Sequence, residues 1–171
     1  MANKTEVWLR GPLEGMPTLI MPVAHALLQA GEEITEIMAG FNDEKLWDRP
    51  TSLASAGFHL QHLSGVLNRL FTYARGKQLD SGQLEFLDRE GNPYSENTTS
   101  VELVTAFNNQ IDECLTQLYQ LKEDILTEAR TVGRGKMPST VIGLYIHAAE
   151  HTMRHTGQLL VTVKFLNNFI F

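Results

Sequence analysis

Five of the six histidines in this 171-residue chain fall into two clusters, His59 with His62 and His147 with His151 and His155, while His25 stands apart. Imidazole is the commonest protein ligand for divalent transition metals, so clustered histidines raise metal chemistry first. The second cluster reads His-x-x-x-His-x-x-x-His. Residues four apart on a helix lie about 40° apart around the axis and about 6 Å along it, so adjacent imidazoles of this run can reach one ion. All three cannot: His147 and His155 are about 12 Å apart along the helix, against metal–nitrogen bonds of about 2.1 Å. The pair is therefore His147 with His151, or His151 with His155. Leu144, Ala148, Leu159, Thr162 and Leu166 define the inward face of this segment, with His155 near its centre, His151 close by and His147 toward an edge. Phase thus selects His151 and His155 and leaves His147 as a flanking residue. A third ligand must come from another helix. His59 and His62 share roughly one side of theirs, and phase leaves the choice between them open, with His59 slightly nearer the stripe centre. His25 reads as an ordinary hydrogen-bonded core or surface histidine.

Other chemistries that the text could encode fall away. His147-Ala-Ala-Glu150-His151 matches the inverted zinc-peptidase motif, but that class needs a third protein ligand, as a rule a downstream acid, and no Asp or Glu follows Glu150. Di-iron bundles use Glu-x-x-His pairs, and no histidine here has a Glu three residues before it. There is no Walker loop, dinucleotide glycine fingerprint or Gly-x-Ser-x-Gly elbow. Cys114 reads as a small buried hydrophobe or idle thiol.

Four long amphipathic segments must position the histidines. Apolar residues at helical spacing from Ile20 to Met38 predict a first helix over 18–38, with Gly40 as its stop. Residues 42–47 can make a short helical turn, and Arg49-Pro50 breaks the chain. A second helix spans 53–74, capped by Ser52 or Ser55 and ended by Arg75-Gly76. Gly82, Gly91-Asn92-Pro93 and the polar 95–100 tract make 77–99 a long crossover loop. Thr99 or Ser100 caps a third helix with a Val101, Val104, Phe107, Ile111, Leu115, Leu118, Leu121 stripe. Residues 132–135 are a further breaker, and Pro138-Ser139 marks the start of a fourth helix through about Leu166. With no alternating strand pattern, the expectation is an all-α four-helix bundle in one domain over 1–171. The crossover is long enough to return the third helix parallel to the second.

Composition bounds the partners. Hydrophobic residues make up 43% and charged residues 20%, as in a globular protein. The net charge of −6, without a basic patch, argues against nucleic acid and anionic lipid. A single cysteine excludes an intramolecular disulfide framework, and the first twenty residues lack a signal core, which together point to the cytoplasm. No apolar run approaches the roughly 18 residues of a membrane span. The apolar C-terminus, Phe165-Leu166 and Phe169-Ile170-Phe171, suggests a homodimer.

Together, Trp8-Leu-Arg-Gly-Pro12, Phe58-His-Leu-Gln-His-Leu63, Leu70-Phe-Thr-Tyr-Ala-Arg-Gly76 and His151-Thr-Met-Arg-His155-Thr-Gly-Gln158 resemble the DinB/YfiT-like superfamily of small bacterial four-helix proteins over nearly the whole chain. The resemblance implies an up-down-down-up bundle with one divalent metal ion held by three histidines. His62, followed by Leu and a small residue, matches the helix-two ligand, and His151 and His155 match the helix-four pair. Thr156 departs from the pattern, in which an arginine or similar residue often precedes Gly-Gln. Some members of the family are transferases or isomerases that use low-molecular-weight thiols. The expected function is thus a metal-dependent enzyme acting on a small-molecule substrate with a thiol co-substrate, with metal-dependent hydrolysis or a non-catalytic stress-response role as alternatives. Gln158, one turn beyond His155, is placed to contact a bound ligand, with His147 and His59 nearby. Zinc, nickel and iron all accept imidazole, so the ligands do not name the metal.

Overall fold

The computed structural model describes residues 5–168 and contains four long helices. These are α1 (Met21–Ile37), α2 (Ala56–Ala74), α4 (Ser100–Tyr119) and α5 (Val141–Asn168), with a short α3 (Ser81–Arg89) inside the crossover. Helix α5 packs on α1 and α2, and α4 closes the other side of both. The core between them runs from Ile20, Leu27 and Ile34 through Leu60, Leu63 and Leu67 to Phe107, Leu118, Tyr145 and Leu159, all essentially inaccessible. Each such side chain contributes about 1.5–3 kcal/mol on removal from water.

Contacts at the helix ends fix their directions. Glu123, just past α4, accepts the backbone N–H of Leu19, just before α1, at 2.8 Å. Lys45, just past α1, donates to the carbonyl of Leu166 near the end of α5. The pairs Asn68–Gln110 and Arg75–Gln117 advance together, so α2 and α4 run the same way.

The crossover is more regular than its composition suggests. Asp80 caps α3 by accepting from the Gln83 N–H, and the Gln83 side chain reaches back to the Asp80 N–H, a reciprocal capping box that overrides the breaking tendency of Gly82. The expected loop over 77–99 therefore contains a two-turn helix. The predicted breaker at 132–135 is likewise the turn of a hairpin: β1 (Ala129–Val132) pairs antiparallel with β2 (Met137–Thr140), Thr131 opposite Pro138. Short Thr- and Val-containing runs around glycines carried that signal. Helix α5 consequently begins at Val141, after Pro138-Ser139 and not at it.

Helix α2 starts where Ser55 accepts the Phe58 N–H at 3.1 Å. Gly57 is required there, because a Cβ would sit about 2.7 Å from the Trp47 ring. Trp47 packed on Gly57 seats the histidine-bearing first half of α2. At the other end of the chain, Leu166 is buried in the core, which removes part of the patch expected to be exposed there, and residues 169–171 lie outside the described residues. Among the described residues no helix is long and apolar enough to cross a membrane.

Candidate metal centre

The facing surfaces of α2 and α5 bring His62, His151 and His155 together, with one ring nitrogen from each within 4.8 Å of the others. His62 Nε2 lies 2.9 Å from His151 Nε2. The His155 ring centroid is 4.5 Å from those of both His62 and His151. A tetrahedral ion with metal–nitrogen bonds of 2.0–2.1 Å separates its ligand nitrogens by about 3.4 Å, so only a small movement separates this cluster from a ligand set.

Two of the three imidazoles are oriented from behind. His62 donates its Nδ1–H to Glu90 Oε2 at 2.8 Å, and Glu90 Oε1 accepts from Arg69 Nη1 at 2.5 Å. Phe58 stacks on the His62 ring with an interplanar angle of 10°. His155 Nδ1 lies 3.0 Å from His59 Nδ1, which leaves His155 Nε2 for the cluster. Histidine ligands are commonly held in this way through the nitrogen that does not bind the metal. His151 Nδ1 is buried without a hydrogen-bond partner among the described residues. Burial, reinforced by the His62 imidazole, pushes His151 down to about 4 and His155 to about 3, and burial with His62 pushes His59 to about 4. All three are therefore neutral at pH 7, the state in which imidazole binds metal. The donor set, the neutrality of His151 and His155 and the hydrogen bonds behind His62 and His155 fit a divalent cation.

The remaining candidates lie elsewhere. His147 is exposed and pairs with Glu150 at 2.8 Å, although its ring comes within 5.3 Å of the His151 ring. His147, Glu150 and His151 thus form a second, mostly exposed group of potential ligand atoms. Both Glu150 oxygens also accept from Arg154 Nη2 at 2.6 Å, and Arg154, then His147, hold the carboxyl below its ordinary range. Gln158 is exposed on a groove of about 420 Å³ that it shares with His59, Arg154, Leu53 and Val161. His25 is half-buried on α1, its Nε2 enclosed without a partner among the described residues. Cys114 is buried in α4, and burial pushes its thiol up to about 12, so it is no nucleophile.

Sequence reasoning missed Glu90 and Arg69. Glu90 belongs to a segment read as loop, and its role depends on a crossover folding back over α2. The Asp80-x-x-Gln83 capping signature, followed by Leu84 and Leu87, could have revealed the helix that carries it.

Fold and site together define a helical bundle with a half-buried histidine cluster between two of its helices. The chain belongs to the DinB superfamily, whose sequence model matches residues 26–159, a span that includes all three clustered histidines. No curated protein matches this chain.

Proposed function

We propose that His62, His151 and His155 hold one divalent cation and that the protein uses it to activate a low-molecular-weight thiol for transfer to an electrophilic small molecule. The convergence of three imidazoles from two helices carries this reading. Three protein ligands leave at least one coordination position open. A divalent ion bound there lowers the pKa of a coordinated thiol or water toward neutrality.

The carboxylates favour thiol over water. Glu90 spends one oxygen on His62 and the other on Arg69, and Glu150 is held by Arg154 and His147. Neither is free to take a proton from attacking water, whereas coordination alone deprotonates a thiol. The groove beside His59 offers the exposed apolar side chains of Leu53 and Val161 with the amide of Gln158 for a substrate body.

The test is a panel of bacterial low-molecular-weight thiols assayed with a chloro-nitroarene, with and without added metal. Metal-dependent conjugation that is lost in His151→Ala supports the reading. Equal rates for wild type and variant, beside metal-dependent ester hydrolysis, replace it with a hydrolase.

A further inference from the structure

The crossover touches α2 on the face turned away from the bundle core, and its contacts concentrate around His62. Gln61, almost fully buried, binds it twice: its Nε2 donates to the Asn92 carbonyl and its Oε1 accepts the Gly91 N–H, both at 2.8 Å. Gln83 Nε2 donates to Asn68 Oδ1 and Thr72 Oγ1 about two and three turns further along α2. Between these anchors lies the Arg69–Glu90–His62 chain. Gly65 sits beneath it, and a Cβ there would collide with Glu90 Oε1, Arg69 Nη1 and the Phe86 ring at once. A glycine in the middle of a helix is less favourable than an alanine. Here its missing side chain is the clearance that lets Glu90 and Arg69 meet.

Neutral imidazole carries one proton on either nitrogen, and the carboxylate decides which. Accepting from Nδ1, Glu90 leaves the Nε2 lone pair of His62 facing His151 at 2.9 Å. We propose that Glu90 is a positioning residue for the histidine centre, and that Gly65 and Arg69 set its place, so that docking of the crossover on α2 and metal affinity are coupled. This rests on the reading that the three histidines hold a cation. Coupling is reciprocal by thermodynamic necessity: what holds Glu90 in place strengthens metal binding, and bound metal holds the crossover down.

The experiment compares the full-length wild type, Glu90→Gln and Gly65→Ala. Zinc affinity is measured by competition with a chromophoric chelator, the His62 tautomer of the metal-free protein by ¹⁵N-detected NMR at pH 7.5, and amide exchange over residues 81–92 with and without zinc. An amide at position 90 can accept from only one of its two partners, so zinc affinity should fall roughly 10- to 100-fold, the usual range for loss of a ligand's supporting hydrogen bond. His62 should carry its proton on Nδ1 in the wild type and on a mixture of nitrogens in Glu90→Gln. Gly65→Ala keeps every charge and ligand, so it should lower zinc affinity in the same direction while exchange over 81–92 quickens. Zinc should slow that exchange in the wild type. Affinity within twofold of wild type in both variants, or an Nε2–H tautomer in the metal-free wild type, overturns the proposal. A wild type that binds no zinc overturns the metal reading instead, and the tautomer comparison still decides the role of Glu90. Should Glu90→Gln fail to fold by circular dichroism, Gly65→Ala decides alone.

Discussion

The protein contains two His–Glu–Arg triads with the same 2.8 Å histidine–carboxylate contact and different surroundings. His62–Glu90–Arg69 joins residues up to 28 positions apart, and its Glu90 and Arg69 side chains are 6% and 10% exposed. His147–Glu150–Arg154 lies along one face of α5 at three- and four-residue spacing, all three side chains about half exposed. The surface triad is what helix geometry makes of any such sequence, and water screens it. The buried triad exists only because a crossover folds back over α2, and the low dielectric there makes its orientation matter. Identical pair chemistry thus acts as a solvated surface in one place and as the support of a candidate ligand in the other.

That contrast is most sharply broken by metal content. Elemental analysis of His151→Ala and of His155→Ala should show loss of the roughly one divalent ion per chain expected for the wild type, with His25→Ala unchanged. Full retention in His155→Ala, or loss in His59→Ala but not in His62→Ala, would show that the cluster was misassigned. The two carboxylates come next. Glu90→Ala leaves the Arg69 guanidinium buried and uncompensated, and denaturant unfolding should show a loss of about 3 kcal/mol. Glu150→Ala should leave the unfolding midpoint where it was, because its partners remain hydrated; a comparable loss there would erase the distinction.

A smaller effect separates the two histidines of α2. His59→Phe removes the Nδ1 partner of His155 while keeping an aromatic ring, so zinc should bind about tenfold more weakly at full stoichiometry. Complete loss would make His59 a ligand in its own right.

Acid gives the gentlest test. His59 and His151 are pushed down to about 4 and His155 to about 3, against about 6.5 in the unfolded chain. Between those values the unfolded state binds more protons than the folded one, so stability rises with pH there. Metal-free protein should therefore lose stability progressively as pH falls from about 6.5 to about 4, followed by urea titrations at several pH values. A flat profile through that window would mean that the histidines are charged when folded.

The sequence by itself determined the long helices, because apolar periodicity is a local property that survives in any arrangement burying the stripe. It also selected His151 and His155 over His147, because all three ride on one helix whose phase is set by its own core residues. The choice between His59 and His62 was different. Both face α5, and periodicity favoured His59 slightly, but the structure places His62 nitrogen to nitrogen with His151 and puts His59 behind His155. Interhelical distance and ring orientation decide that, and neither is written in the spacing of one helix. The crossover was legible only as polar and glycine-containing, so the capped helix within it and the Glu90 it delivers stayed hidden. The β1–β2 hairpin was missed because four-residue strands carry too short a period to stand out. Buried Gln61 and Arg69 on the outer side of α2 contradict a plain amphipathic helix, and only the tertiary structure supplies the reason: a buried polar side chain needs a partner, and here that partner arrives from about 20 to 30 residues downstream.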